Sequence, residues 1–315
     1  NGISVFAEYA RSFGKAQAQA GVRYEHVTSD YYEYGKKVEE QSRKYDNFFP
    51  SLALSFPLGK VQMQLAYRAS IKRPSYWDLR GNITYANRYT YETGNPLLQP
   101  TTIQSLSLNT IYRWMSLSLS YNHYKNDYTS YVRAYSEENP TIGLLTREHI
   151  APYNRLSASL TLSPVIGKWS PRWGVQVQRY DCKVDTPRGV ETFDNPLAIL
   201  SWRNTMKFTD SFWINADAYY QTKSQTDNTE YLENSWYMNL NLYKGFLNNR
   251  MSLQLQVTDL FNTRKSHVLM YSGLRTMELD NELRRTISPT FRYKFNPTKS
   301  KYKGTGAGQS QKARM

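Results

Sequence analysis

Residues that could build a catalytic or metal site are scattered through this sequence. The four histidines lie far apart, at His26, His123, His149 and His267. None has the HxxxH or HExxH spacing of helical metal sites. Cys182 is the single cysteine, which excludes an internal disulfide and a CxxC metal or redox motif. The pair Glu137 and Glu138 fits a solvated loop tip. We therefore predict no catalytic residue, no metal site, no cofactor and no enzyme activity.

Side chains suited to noncovalent binding are concentrated in the segment 72–100. They are Arg73, Tyr76, Trp77, Asp78, Arg80, Tyr85, Arg88, Tyr89 and Tyr91. Aromatic rings and guanidinium groups bind sugars, aromatic chelators or anions through stacking and bidentate hydrogen bonds. So long a connection is uncommon unless it is functional or disordered, and this one is too aromatic to be a disordered linker. We predict that it contacts a ligand. The alternative, that 94–100 and the tyrosines only fold the loop over its neighbours, stays open.

Apolar and polar residues alternate along most of the chain. In 61–71, for example, Val61 and Met63 alternate with Gln62 and Gln64, which is the period of a β-strand with one apolar face. The same alternation predicts thirteen strands, at 3–13, 16–28, 47–57, 61–71, 101–112, 116–131, 150–163, 172–183, 197–209, 212–222, 233–243, 251–261 and 286–296. The pattern therefore predicts almost no helix.

The lengths of the strands and of their connections indicate an outer-membrane β-barrel. Each strand has about ten residues or more, enough to cross the hydrocarbon core when tilted. Short turns alternate with long connections at 29–46, 72–100, 132–149, 184–196, 223–232 and 262–285. Such barrels have short periplasmic turns and long outer loops. We predict an all-β fold, a transmembrane antiparallel up-and-down barrel. A soluble sandwich or propeller would also alternate, because one of its faces packs on a core.

The strand count suggests that the barrel is incomplete. If the short turns are periplasmic, the first and last strands both run inward and their number is odd. A single-chain bacterial barrel has an even number. The chain also begins at Asn1, without an initiator Met or an export signal. We therefore interpret it as part of a longer protein.

Three motifs resemble those of TonB-dependent receptors, and of the outer-membrane barrel family common in Bacteroidetes. The first is the loop 72–100 with its stretch 94–100, GNPLLQP; the second is 257–262, VTDLFN, with Asp at its third position. The third is the aromatic end of the last strand, Phe291, Tyr293 and Phe295, which is similar to the signal such proteins present to the barrel-assembly machinery. The resemblance implies about 22 strands, of which these would be the last thirteen. It also implies a plug domain and a TonB complex, both outside this chain.

Which partner the net charge of +14 indicates depends on whether the protein is a barrel. A soluble protein this basic would suggest nucleic acid as a partner, because basic surfaces gain affinity by releasing counterions. In a barrel the charge lies on the lumen face and in the loops, so we predict no nucleic acid partner. Anionic ligands and lipopolysaccharide phosphates are equally good partners for this positive charge. The residues 297–315 are predicted to be a basic, disordered periplasmic tail after the barrel at 1–296.

Three functions are consistent with this sequence. The first is the channel wall and ligand-binding loops of a TonB-dependent transporter in the bacterial outer membrane. Its ligand would be a small molecule, chelate, peptide or glycan too large for porins. The second is a plugless barrel that acts as an adhesin, a scaffold or a passive pore, and the sequence upstream of Asn1 would separate these two. The third is a soluble β protein that binds polyanions, which extraction of the full-length product without detergent would support.

Overall fold

A single antiparallel sheet of 13 strands dominates the computed structural model, which describes residues 2–39 and 42–295. Each strand pairs with the next one along this series. The strands are Gly2–Phe13, Ala16–Ser29, Arg43–Leu58, Val61–Lys72, Thr101–Tyr112, Met115–Lys125, Tyr153–Leu162, Trp169–Tyr180, Leu197–Thr209, Phe212–Gln221, Ser235–Phe246, Met251–Thr258 and Thr286–Tyr293. The number, order and up-and-down connection of the strands confirm the prediction.

The sheet has one apolar and one polar face, because the register places apolar residues opposite apolar ones and polar residues opposite polar ones. Leu160 lies opposite Leu117 and Val175, whereas its neighbour Ser159 lies opposite Ser118 and Gln176. Other leucines share the apolar face: Leu65 pairs with Leu54 and Leu108, Leu240 with Ala216 and Val257, and Leu255 with Leu242. Leu65 remains 43% exposed, so the described residues leave this face largely uncovered.

Tight turns connect the strands at one end of the sheet. Gly14 and Gly59 turn the chain with φ of 60° and 63°, in the left-handed region that glycine enters without steric cost. Arg113 makes the same kind of turn with φ of 50°. All three are short connections, and the long connections lie at the other end of the sheet.

The long connections contain strands of their own, which the sequence did not reveal. One four-stranded sheet combines Thr84–Asn87, Thr90–Glu92, Tyr128–Ala134 and Gly143–His149. Another combines Ser224–Gln225, Thr229–Tyr231, Lys265–Ser272 and Arg275–Glu282. Two hairpins complete the set, Tyr32–Glu33 with Lys36–Lys37 and Cys182–Thr186 with Gly189–Phe193. Loops predicted as plain connections therefore form small sheets beyond the main one.

Four predicted strands were too long at this end by three residues or more. One of them, 150–163, begins only at Tyr153. The strand 116–131 stops at Lys125, because Asn126 has φ of 58° and the chain then enters the loop sheet. The strand 172–183 stops at Tyr180, before the hairpin that begins at Cys182. The strand 251–261 stops at Thr258, because Asp259 turns the chain with φ of 53°. Alternation continues past each break, so the period alone did not show it.

Asp259 explains the VTDLFN motif as a structural turn. Its carboxylate accepts hydrogen bonds from the backbone N–H groups of Thr263 and Arg264, each at 3.0 Å. Its own N–H donates to the Asn239 side chain at 2.9 Å. Aspartate tolerates the left-handed conformation and caps nearby N–H groups. The motif thus fixes where the strand ends and the long loop begins.

The loops fold over the polar face of the sheet. Tyr124 and Tyr153, at the ends of two main strands, stack with ring centroids 4.7 Å apart. They form a buried cluster with Cys182 and Phe193 of the hairpin and Tyr271 of the last long loop. This cluster joins two long connections to the wall, so these loops pack together.

The main sheet is open within the part of the chain that the structure describes. Gly2–Phe13 and Thr286–Tyr293 each have a strand partner on one side only among residues 2–39 and 42–295. Phe291 and Tyr293 alternate onto the apolar face, and Phe295 follows the end of the strand. The predicted tail 297–315 lies outside the described residues. Over those described residues, no helix is long and apolar enough to span a membrane.

Candidate ligand-binding surface

Asp78 is the centre of the hydrogen bonds that shape the loop 72–100. Its carboxylate accepts from the hydroxyl of Ser75 at 2.6 Å, from Nε of Arg147 at 3.1 Å and from the hydroxyl of Tyr128 at 3.3 Å. Burial raises the pKa of this carboxyl, but the hydrogen bonds from Ser75 and Arg147 outweigh burial and hold it below its usual value. Asp78 therefore holds the loop in place as an anion.

The stretch 94–100 also contacts Asp78, through its backbone. The N–H of Asn95 donates to the carbonyl of Asp78 at 2.6 Å, and the Asn95 amide donates to the carbonyl of Arg147 at 2.9 Å. Only glycine fits at position 94, since a Cβ there would lie 2.4 Å from the Asp78 carbonyl oxygen. Leu98 is 2% exposed. The motif thus folds the loop over its neighbours.

The hairpin 84–92 is held by two other loops. Thr90–Glu92 pairs in parallel with the strand that begins at Gly143. Arg275, from the last long loop, donates to the Thr90 hydroxyl at 2.8 Å and to the Tyr89 carbonyl at 2.6 Å. The Tyr91 ring packs edge-on against Tyr135 at 4.7 Å. This part of the predicted surface is therefore a supported sheet edge.

The exposed rings of the predicted set lie on this scaffold. Tyr76 is 91% exposed, and Trp77, Tyr85 and Tyr89 are also exposed. Arg88 lies over the Tyr89 ring at 4.6 Å. Such rings on a rigid frame lose little conformational entropy when a ligand binds.

Arg80 is the most unusual side chain of the predicted set. Its guanidinium lies 3.4 Å from the centre of the Trp77 ring, a cation–π contact. Its side chain is 11% exposed, and a terminal nitrogen is 3.7 Å from the carboxylate of Glu92. Its buried Nε has no hydrogen-bond partner among the described residues.

A cavity of about 780 Å³ lies between this loop and the loop that follows the second strand. We call it the arginine cavity; its polar lining residues include Arg43, Arg73, Arg80, Asp30, Ser75, Tyr31, Tyr45 and Tyr76. Val27 and Tyr45 lie opposite each other on the polar face of the wall, so the cavity lies on that side of the sheet.

The wall below the cavity holds an ion-paired triad. Glu25 accepts from Arg73 at 2.5 Å and lies 3.0 Å from a terminal nitrogen of Arg23. The Glu25 side chain is largely buried, so both pairs are partly shielded from solvent. Arg73 is thereby fixed at the rim of the cavity.

The structure divides the nine predicted residues into three roles. Arg73, Tyr76 and Arg80 line the arginine cavity, and Trp77 stacks on Arg80. The hairpin carries Tyr85, Arg88, Tyr89 and Tyr91. Asp78 is structural. Tyr31, Arg43 and Tyr45 were not predicted, although the loop 29–46 has the same mixture of Tyr, Lys and Arg.

A metal site has no support in this region or elsewhere within residues 2–39 and 42–295. No group of three His, Cys, Asp or Glu side chains among them could hold an ion. His149 is used structurally, since its Nε2 accepts from the N–H of Gln99 at 3.0 Å.

Comparisons with known proteins agree with this architecture. The model of the outer membrane protein beta-barrel family matches residues 1–293. A variant of the ferric enterobactin receptor from Pseudomonas aeruginosa, in complex with enterobactin, superposes with a TM-score of 0.57 at 18% identity. That alignment covers 92% of this chain and 44% of the receptor. No curated protein is significantly similar in sequence.

Two further solved structures have the same relation to the chain. The siderophore receptor PirA from Acinetobacter baumannii gives a TM-score of 0.56 at 13% identity. The FrpB iron transporter from Neisseria meningitidis gives 0.58 at 13% identity. Each alignment covers 93% of this chain and 45% of the other protein. The chain thus spans less than half the length of these proteins, and what they share at such identity is the fold.

Proposed function

Because the chain belongs to the outer membrane protein beta-barrel family, we propose that it is the channel wall and ligand-binding loops of a TonB-dependent importer. The barrel lies in the bacterial outer membrane, with its apolar face toward lipid. In the proposal the long loops face outward and bind a substrate too large for porins. That substrate is a small molecule, chelate, peptide or glycan.

The loop assembly is the observation that carries this proposal. A passive pore needs an open mouth, whereas these loops fold together over the polar face through the buried cluster around Phe193. They also link distant parts of the chain, as the hydrogen bonds from Arg275 to the Thr90 hydroxyl and the Tyr89 carbonyl illustrate. Exposed rings on a fixed frame suit recognition better than free diffusion.

The proposal assigns partners beyond this chain. A plug domain and a TonB complex would supply gating and energy, and the barrel-assembly machinery would insert the barrel. Lipid and lipopolysaccharide would surround the apolar face. The alternative is a plugless barrel that serves as an adhesin, a scaffold or a passive pore.

Depletion of solutes from the growth medium tests the proposal. Cells with and without the full-length protein are compared by untargeted mass spectrometry of the medium, with and without a protonophore. An importer depletes a specific compound, and the protonophore abolishes that depletion. Depletion that survives the protonophore identifies a passive pore, and no difference between the cells leaves an adhesin or scaffold.

A loop variant then locates recognition. Alanine at Tyr76, Trp77 and Tyr89 removes exposed rings that support no other loop through their side chains, so the barrel should assemble normally. Depletion of the same compound should fall at equal surface expression. If depletion is unchanged, recognition does not use this loop.

A further inference from the structure

We infer that Arg172 and Arg203, which we call the arginine pair, form an oxyanion site on the polar face of the sheet. The site holds one carboxylate, phosphate or sulfate group between the two guanidinium groups. That anion is either a free solute in the lumen or a carboxylate from another part of the full-length protein. The inference goes beyond the proposed function, because it concerns the wall of the barrel and not the binding loops.

The arginine pair lies where two main strands run side by side. Arg172 is the fourth residue of Trp169–Tyr180, and the register places it directly opposite Arg203 of Leu197–Thr209. Side chains directly opposite each other in an antiparallel pair share one face, with Cβ atoms about 5 Å apart. Arg172 lies on the same face as Gln176, so the pair is on the polar side of the sheet. It is closer to the short turns than to the long loops.

The charge at this point is the first argument. Both arginines are exposed, and neither forms an ion pair or a hydrogen bond with any residue of 2–39 and 42–295. Asp217 lies opposite Arg203 on the next strand, so one carboxylate faces two guanidinium groups. Like charges directly opposite each other destabilise a sheet. At least one positive charge is therefore available to an anion, and solvent reaches it.

A small polar cavity beside the pair is the second argument. Its volume of about 240 Å³ has room for an oxyanion and several waters, since each water takes about 30 Å³. Besides the pair, its polar lining residues are Ser159, Thr161, Gln176 and Ser201. Each of these side chains can donate a hydrogen bond. Gly174 leaves the middle of the cavity free, since a Cβ there would lie 2.5 Å from Oγ of Ser201.

The geometry of the guanidinium group is the third argument. Its planar fork of N–H donors matches two oxygens of a carboxylate or phosphate. An anion between two such groups replaces one repulsion with two attractions, and the hydroxyl groups of the cavity can bind its remaining oxygens. Because main strands carry both arginines, their positions are fixed more precisely than loops would fix them.

Urea unfolding of the full-length protein in lipid vesicles tests the inference through the sign of a stability change. Arg172→Gln and Arg203→Gln each remove one charge at an exposed position, so both variants should fold. If the pair bound no anion, each change would relieve a repulsion, and the urea midpoint would stay the same or rise. We expect it to fall in both variants, because each loses a charge-assisted contact with the anion.

The anion of the buffer separates the two sources. Midpoints are measured in sodium chloride and in sodium phosphate at equal ionic strength. If the anion is a free solute, phosphate raises the midpoint of the unaltered protein, and each variant needs about ten-fold more phosphate or higher for the same gain. If it is a carboxylate of the protein itself, both variants have lower midpoints in either buffer, and phosphate adds nothing.

The matched control is Arg68→Gln. Arg68 is an exposed arginine on the same face, with Ser51 and Ser105 opposite it on the two neighbouring strands. Its replacement should leave the midpoint nearly unchanged in both buffers. The inference is overturned if Arg172→Gln and Arg203→Gln unfold at the same urea concentration as the unaltered protein, or at a higher one, in both buffers. An equal loss in Arg68→Gln would also overturn it.

Discussion

Arginine at Leu240 and at Asn241 should have opposite consequences for barrel stability. Leu240 is the sixth residue of the twelve-residue strand Ser235–Phe246, close to mid-membrane, and its cross-strand neighbours are Ala216 and Val257. Asn241 lies between Asn215 and Gln256 on the polar face. One substitution therefore places a charge in hydrocarbon and the other places it in the lumen.

The magnitude follows from the depth of Leu240. Arginine on the lipid face at the midplane costs about 2–4 kcal/mol. This lowers the ratio of folded to unfolded protein roughly thirty- to several-hundred-fold. Asn241→Arg should change the free energy of unfolding by less than about 1 kcal/mol, because water and amide groups solvate the guanidinium.

The assay is urea unfolding of the full-length protein in lipid vesicles, followed by tryptophan fluorescence. The variant at Leu240 should unfold at clearly lower urea than the variant at Asn241. If the two midpoints coincide, or if Asn241→Arg is the more damaging change, the assignment of lipid and lumen faces is wrong.

Four further outcomes are expected. Burial raises the pKa of the Cys182 thiol to about 12, from a usual value near 9, so maleimide at pH 8 should label it only after denaturation; labelling of the folded protein would show that the buried cluster opens. Because the folded thiol holds its proton more tightly, stability should fall as pH rises from about 9 toward 12, and less so in Cys182→Ser. Arg275→Ala should speed hydrogen–deuterium exchange in 84–92, while the exposed control Arg284→Ala should not. Unchanged exchange would mean that the hydrogen bonds of Arg275 do not stabilise this hairpin. Replacing Phe295 with Ser should lower the yield of assembled barrel, whereas deleting 299–315 should not, and an assembly defect in the deletion would assign the tail a role.

The main sheet could be predicted because its signal is local. Each strand alternates within about ten residues, as Val61 to Lys72 shows, and the turn glycines punctuate the series. The breaks at Asn126 and Asp259 could not be located in the same way, because a single left-handed residue does not disturb the period around it.

The candidate site was only partly predictable because its contacts are distant in sequence. Residue type identified Arg73, Tyr76 and Arg80, which do line one cavity. The same criterion included Asp78, whose partner Arg147 lies 69 residues away and makes it structural. It missed Tyr31 and Tyr45, since only pairing of the second and third strands brings their loop to the cavity.

The side of the membrane on which the loops lie is the most direct test of the whole account. In a Cys182→Ser background, Tyr76→Cys places a thiol on the exposed candidate loop, and Lys15→Cys places one in an exposed turn at the opposite end of the sheet. Intact cells are treated with a membrane-impermeant maleimide. The account predicts labelling at position 76 in intact cells and at position 15 only after permeabilisation. Labelling at position 15 but not at 76 in intact cells would contradict it, because the proposed binding loops would then face the periplasm.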